Sequence, residues 1–177
     1  MEDFSKLKIA ISGKSGCGNT TVSRMLSNEL GLSFINFTFR SIASERGISL
    51  KEVLSLAAKN DDIDKEVDRR QVELARAGGG CVLGSRLAIW MLTEADLKIF
   101  LTAKEETRAK RIQDREGGDL DAIAEFTAER DRQDRERYIR IYGIDNNDYS
   151  FADMVIDTDE IGPTEIVKLI IAKLRKD

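Results

Sequence analysis

Gly13-Lys14-Ser15-Gly16-Cys17-Gly18-Asn19-Thr20-Thr21 follows directly on an apolar run at 7–12. A strand that enters a glycine-rich turn and then a helix makes a phosphate cradle. The N–H groups of the turn point inward, and the helix starting near Asn19 adds the positive end of its dipole. Gly13 and Gly18 have the spacing of the pattern glycine, four residues, glycine, Lys, Ser/Thr. Gly13, Ser15, Gly16, Cys17, Gly18, Asn19, Thr20 and Thr21 are therefore candidate contacts for nucleotide phosphates. Asn19 stands where that pattern carries its phosphate-binding lysine. Lys14, in the first turn of the loop, either supplies the missing charge or points to solvent.

The 177 residues suffice for one domain with a sizeable core, and the single Pro argues against long disordered linkers. A net charge of −4 is too acidic for a general nucleic-acid binder. The chain has no histidine, which excludes a Ser-His-Asp triad and a histidine metal site. Cys17 and Cys81 lie too far apart for a zinc pattern or a disulfide framework, which fits a reducing cytoplasm. The acidic start, residues 1–8, does not read as a signal peptide, and no apolar run is long enough to span a bilayer.

Strands and helices alternate along the chain, the pattern of a parallel sheet covered by helices. Strands are expected at 8–12, 32–36, 81–83, 96–101 and 154–157. Val22, Met25, Leu26 and Leu30 recur at helical spacing in 20–30, and Gly31 stops that helix. Further helices are expected at 39–46, from the Ser49-Leu50-Lys51-Glu52 capping box onward, at 61–77, 104–116 and 119–142, and from Pro163. The helical stretch 37–77 falls between strands and reads as an insert over the sheet edge.

Two arginine stripes stand out. Arg130, Asp134 and Arg137 share one face of the long helix, whereas Arg132 and Glu136 point elsewhere. Two arginines can clamp a phosphate with paired N–H donors while the Asp orients one of them. The plainer reading is a solvated helix laced by charge pairs worth ~0.3 kcal/mol each, and periodicity alone favours it. Arg108, Arg111 and Arg115 form a second stripe, with spacing that suits either a lid over transferred phosphates or an ordinary surface helix. Cys17, near a helix N-terminus, reads as a small residue tolerated in the loop more readily than as a redox switch. Trp90 and Phe100 read as core, and Tyr138 and Tyr142 share a helix face.

Beyond the loop, the sequence resembles the cytidylate kinases, most closely the archaeal-type branch of the P-loop nucleoside monophosphate kinases. The resemblance runs nearly end to end. It rests on Ile63-Asp64-Lys65-Glu66-Val67-Asp68-Arg69-Arg70-Gln71, Gly84-Ser85-Arg86-Leu87-Ala88-Ile89-Trp90-Met91, the 129–137 helix, and Tyr142-Gly143-Ile144-Asp145. It implies an α/β P-loop NTPase fold: a five-stranded parallel sheet flanked by helices in a single kinase domain, 1–177. It also implies an acceptor-binding insert at 37–77 and a lid at about 108–119. The implied reaction is transfer of the ATP γ-phosphate to CMP or dCMP with Mg²⁺. Carried over by position, Arg40, Arg86, Arg130, Asp134 and Arg137 would hold the acceptor, Arg111 and Arg115 would be lid arginines acting with Lys14, and Thr20 would hold Mg²⁺.

The sequence departs from the resemblance at three places besides Asn19. Gly84 replaces an acid, Ser85 replaces the following Gly, and Asn36-Phe37 replaces a Gly-polar pair. Two further readings follow: a P-loop kinase for another small anionic acceptor, or a nucleotide-binding regulator with little turnover. The expected partners are small nucleotides, with no nucleic acid and no membrane, and the chain is expected to act as a monomer in the cytoplasm.

Overall fold

The computed structural model describes residues 4–176. The outer residues of the span read as not a signal peptide, 1–3, and the last residue of the expected domain, 177, lie outside it. Thirteen elements follow one another: β1 (Lys8–Gly13), α1 (Asn19–Leu30), β2 (Ser33–Ile35), α2 (Phe39–Arg46), α3 (Leu50–Ala57), α4 (Asp62–Ala77), β3 (Cys81–Gly84), α5 (Ala88–Met91), β4 (Leu97–Thr102), α6 (Glu105–Glu116), α7 (Leu120–Tyr142), β5 (Met154–Asp157) and α8 (Pro163–Leu174). The strands form one five-stranded parallel sheet in the order β2-β3-β1-β4-β5. β1 lies at its centre, with Ile9 opposite Val82 of β3 and Leu97 of β4.

Alternation along the strands divides the core between the two faces of the sheet. Ile9, Ile11, Ile99 and Leu101 meet Val22 and Leu26 of α1 and Ile166 and Ile170 of α8 on one face. Ala10, Leu83 and Phe100 meet Val72 and Ala75 of α4 on the other. Each fully buried Ile or Leu contributes about 1.5–3 kcal/mol. Phe100 also stacks on Tyr149, their ring centroids 3.9 Å apart, with Trp90 edge-on at 6.0 Å. The expectation of core positions for Trp90 and Phe100 agrees with this packing.

Local chemistry sets the element ends. Ser49 and Glu52 form the expected capping box, with Ser49 N–H donating to Glu52 Oε2 at 2.7 Å. Asp119 caps α7 by accepting from the Ala122 N–H at 2.9 Å, and Gly143 (φ 67°) closes it in the left-handed conformation. Helices α2–α4 lie between β2 and β3 and carry a separate cluster around Phe37, Ile42, Val53 and Val67. α5 was not expected: a four-residue helix, here with Ala88 and Ile89 buried, is too short to show a helical period.

Candidate active site

The loop between β1 and α1 opens at the carboxyl end of the sheet's central strand, where open α/β sheets place their ligands. The N–H groups of Ser15, Gly16, Gly18, Asn19, Thr20 and Thr21 have no hydrogen-bond acceptor among the described residues. They form an anion cradle with the first turn of α1 behind it. Gly16 (φ +83°) is pressed against α6, and a Cβ there would lie 2.9 Å from Arg108 Cα. Asn19 Nδ2 donates to the Gly13 carbonyl oxygen at 2.9 Å, so its amide ties the loop's end back to its beginning. Its Oδ1 is buried and has no partner among the described residues. Cys17 faces the core, is 3% exposed and does not line the cavity described below, and its N–H donates to the Lys14 carbonyl oxygen at 3.1 Å. Burial raises its thiol pKa, against the opposing charge of Arg108, as an inert loop residue requires.

A cavity of about 1030 Å³ runs from this loop to the helices inserted after β2. Lys14, Thr20, Arg40, Arg86, Arg115, Arg130, Asp134 and Arg137 all line it. Asp134 is buried and receives two arginines: Arg86 Nη1 at 2.9 Å from Oδ2, and Arg137 Nη2 at 2.8 Å from Oδ1. Arg86 Nη2 also donates to Ser15 Oγ at 2.7 Å. Arg130 and Arg40 make no hydrogen bond or ion pair among the described residues. Burial, then the neighbouring charge of Arg86, lowers the basicity of Arg130, so an arriving anion relieves an uncompensated cation. Arg132 lies outside the cavity and is spent on Glu129 and Glu136 at 2.6 and 2.7 Å. This separation matches the face assignment read from the helical spacing.

The second stripe divides. Arg108 is 3% exposed and props the loop from outside, donating to Ser15 O at 3.2 Å and to Asp131 Oδ2 at 2.7 Å. Arg111, expected as a lid cation, instead lies beneath the loop. Its Nη1 donates to Gly16 O at 3.1 Å and Thr158 Oγ1 at 2.9 Å, and its Nη2 to Thr158 O at 2.5 Å. It does not line the cavity; these protein oxygens take the donors a phosphate would need. Arg115 does line it, at the far end of α6, and pairs with Glu116 at 2.8 Å. The expected lid span 108–119 therefore begins with anchored residues. Beyond Arg111 the span makes no such tie to the loop among the described residues.

Position 84 has a steric reason to be glycine. A Cβ there would lie 2.3 Å from Ser23 Oγ, so no acid fits without moving α1. Among the described residues no cluster of acids and cysteines is arranged to hold a metal ion. The Thr20 side chain is exposed at the cavity wall, where its hydroxyl could join a cation held mainly by phosphates.

Sequence reading missed the wall contributed by α4. Asp64, Val67, Asp68 and Gln71 all line the cavity at spacings of three and four. Gln71 Nε2 donates to Phe37 O at 2.7 Å, and Tyr142 Oη donates to Asp68 Oδ2 at 2.7 Å. Polar residues at 64, 68 and 71 beside apolar Ile63 and Val72 were the available signal. Of the two tyrosines that share a face of α7, Tyr142 reaches this helix through Asp68.

The sequence model of the Cytidylate kinase-like family matches residues 8–160. The chain is 48% identical over 174 residues to cytidylate kinase 2 of Borreliella burgdorferi, covering 96% of both chains. It is 41% identical over 171 residues to cytidylate kinase of Pyrococcus horikoshii, covering 96% of this chain and 88% of that one. Among solved structures, shikimate kinase from Acinetobacter baumannii in complex with shikimate shares the fold. Its TM-score is 0.67 at 15% identity, covering 98% of this chain and 95% of that one.

Proposed function

Since the chain belongs to the cytidylate kinase-like family, we propose that it transfers the γ-phosphoryl group of ATP to CMP and dCMP. The observation that carries this reading is a single cavity with an anion cradle at one end and Arg40 and Arg130, unspent on protein acceptors, along it. ATP phosphates would lie on the loop N–H groups, with Lys14 supplying the charge that Asn19 lacks. The acceptor phosphate would lie between Arg40, Arg130 and Arg137, with Asp134 fixing Arg86 and Arg137 in orientation. Catalysis is then positioning plus charge stabilisation, with no covalent enzyme intermediate. Mg²⁺, when bound, neutralises charge on the nucleotide phosphates; Thr20 is the residue that would hold it, with phosphates and water completing its shell.

Arg115 would close over the transferred group from the outer end of α6, while Arg108 and Arg111 keep the loop rigid. The helices α2–α4 serve as the acceptor-binding insert, and residues near Gly117 and Gly118 as the moving part of the lid. Among the described residues no helix is long and apolar enough to cross a membrane, and the free buried cysteines accord with a cytoplasmic setting.

A coupled ADP-release assay across nucleoside monophosphates tests the reading. CMP and dCMP should be the best acceptors. Turnover of a different small anion alone would reassign the acceptor. Nucleotide binding without turnover of any acceptor would make the protein a regulator, the reading that Asn19 and Gly84 favour.

A further inference from the structure

The cavity wall contains four acids, and three of them are spent on cations. Glu129 pairs with Arg132 at 2.6 Å, Asp134 with Arg86 and Arg137, and Asp64 lies 3.5 Å from Arg137 Nε. Asp68 makes no ion pair among the described residues. Its one polar partner is Tyr142, whose hydroxyl donates to Oδ2 at 2.7 Å and fixes the carboxyl plane. Oδ1 accepts no hydrogen bond from the described residues, and Asp68 lines the cavity along with Val67 and Tyr138. An acid in this setting repels phosphate. It demands N–H or O–H donors from whatever part of the ligand lies against it.

We propose that Asp68 is the specificity-determining residue of the acceptor site, reading the exocyclic amine of a 4-aminopyrimidine monophosphate and rejecting 4-oxo pyrimidines. This rests on the kinase reading above. With the phosphate held by the arginines, the base edge is the part of the ligand that can bring a hydrogen-bond donor to Oδ1. Cytosine offers its 4-amino N–H. Uracil offers a carbonyl oxygen at the same position, so two acceptors face each other without a proton between them. A site built to hydrogen-bond one group rejects an analogue that leaves buried polar atoms unpaired far more strongly than an apolar site rejects a missing methylene.

The carboxyl's surroundings also predict how this selectivity changes with acidity. Asp68 is pushed up to about 6 by burial, opposed by the Tyr142 hydrogen bond and aided by Asp64 on the same helix. Arg137 from α7 and Arg86 from the segment after β3 are the cations facing it, and both oppose the rise. Below that pH a proton on Asp68 converts Oδ1 or Oδ2 into a donor that can serve a uracil carbonyl. Discrimination is therefore greatest above pH 6 and weakens as pH falls through it.

The test measures kcat/KM for CMP, dCMP and UMP, together with direct calorimetric binding of each to the parent protein and to Asp68→Asn and Asp68→Leu. The parent should prefer CMP over UMP. Both variants should lose CMP and dCMP efficiency about equally, by roughly 10–100-fold, with the CMP/UMP ratio falling at least about tenfold and ATP binding unchanged. An unchanged ratio in folded variants overturns the inference and leaves the kinase reading intact. A loss confined to CMP, with dCMP unaffected, also overturns it by placing the carboxylate on the ribose 2′-hydroxyl. A parent that binds CMP selectively without turnover refutes the kinase reading, and the binding ratio still decides the role of Asp68. A parent that binds no pyrimidine monophosphate overturns both.

Discussion

Asn19 Nδ2 lies 2.9 Å from the carbonyl oxygen of Gly13, and this bond closes the phosphate loop across its own base. The residue at the lysine position of the motif is therefore a staple. It shapes the cradle instead of contributing charge to it, and leaves cations to come from Lys14 and the arginines around the cavity. Replacing Asn19 with Ala should lower stability by about 1 kcal/mol and weaken ATP binding through a looser loop. Replacing it with Asp, which removes the donor and adds negative charge beside both the Gly13 carbonyl and the phosphate site, should be clearly worse on both counts. Thermal denaturation with ATP titration calorimetry checks the order; Asp tolerated as well as Ala would contradict the staple.

Arg130 and Arg132 are two residues apart on α7 yet should behave as different kinds of residue. Arg130→Ala removes an unspent cavity cation and should cost acceptor kcat/KM about 1.5–3 kcal/mol, more than tenfold. Arg132→Ala removes only exposed surface pairs and should cost much less. ATP affinity should survive in both. Steady-state kinetics with CMP decides; equal losses would reduce the stripe to general electrostatics.

Arg86 touches both halves of the site, through Ser15 of the loop and Asp134 of α7. Arg86→Ala should therefore raise KM for ATP and for the acceptor together, whereas Arg137→Ala should act on the acceptor alone. A full two-substrate kinetic analysis separates these patterns. An effect of Arg86→Ala on one substrate only would show that the bridge carries no weight.

Asp68 gives the empty protein a defined pH signature. Its carboxyl is held at about 6, above the ordinary 3.8, chiefly by burial. A raised acid binds its proton more tightly in the folded state. Its contribution is thus fully favourable below about pH 4 and is lost as pH rises through about 6, a difference of roughly two units or about 3 kcal/mol. Urea denaturation of the parent and of Asp68→Asn should diverge across that window, with the variant the more stable of the two at pH 8. Parallel profiles would remove the assignment.

How much of this was legible depended on the range of each interaction. The loop was plain because glycine spacing and the following helix lie within a dozen residues. The division of Arg130 from Arg132 followed from helical periodicity alone. Arg111 was misplaced because what claims it, Thr158, lies 47 positions away on the loop after β5, and nothing local marks that approach. Arg86 and Asp134 had only family resemblance to unite them, since their ion pair spans separate elements. Asp68 was visible inside a quoted motif, but that no arginine comes close enough to form an ion pair with it is a property of packing and not of spacing. The glycine at 84 was noticed as an exception; that Ser23 of α1 leaves room for nothing larger appears only in three dimensions.

The flanks of the sheet bear on how the molecule behaves in crowded solution. The outermost strands are short, β2 with three residues and β5 with four. β5 is bracketed by acids, with Asp153 accepting the Lys98 N–H and Asp159 the Lys104 N–H, both beside the strand it joins. A neighbouring molecule that tried to continue the ladder would find a short template and fixed negative charge at its ends. Stacking of copies through the β5 edge is thereby discouraged even though Val155 is 51% exposed on that strand.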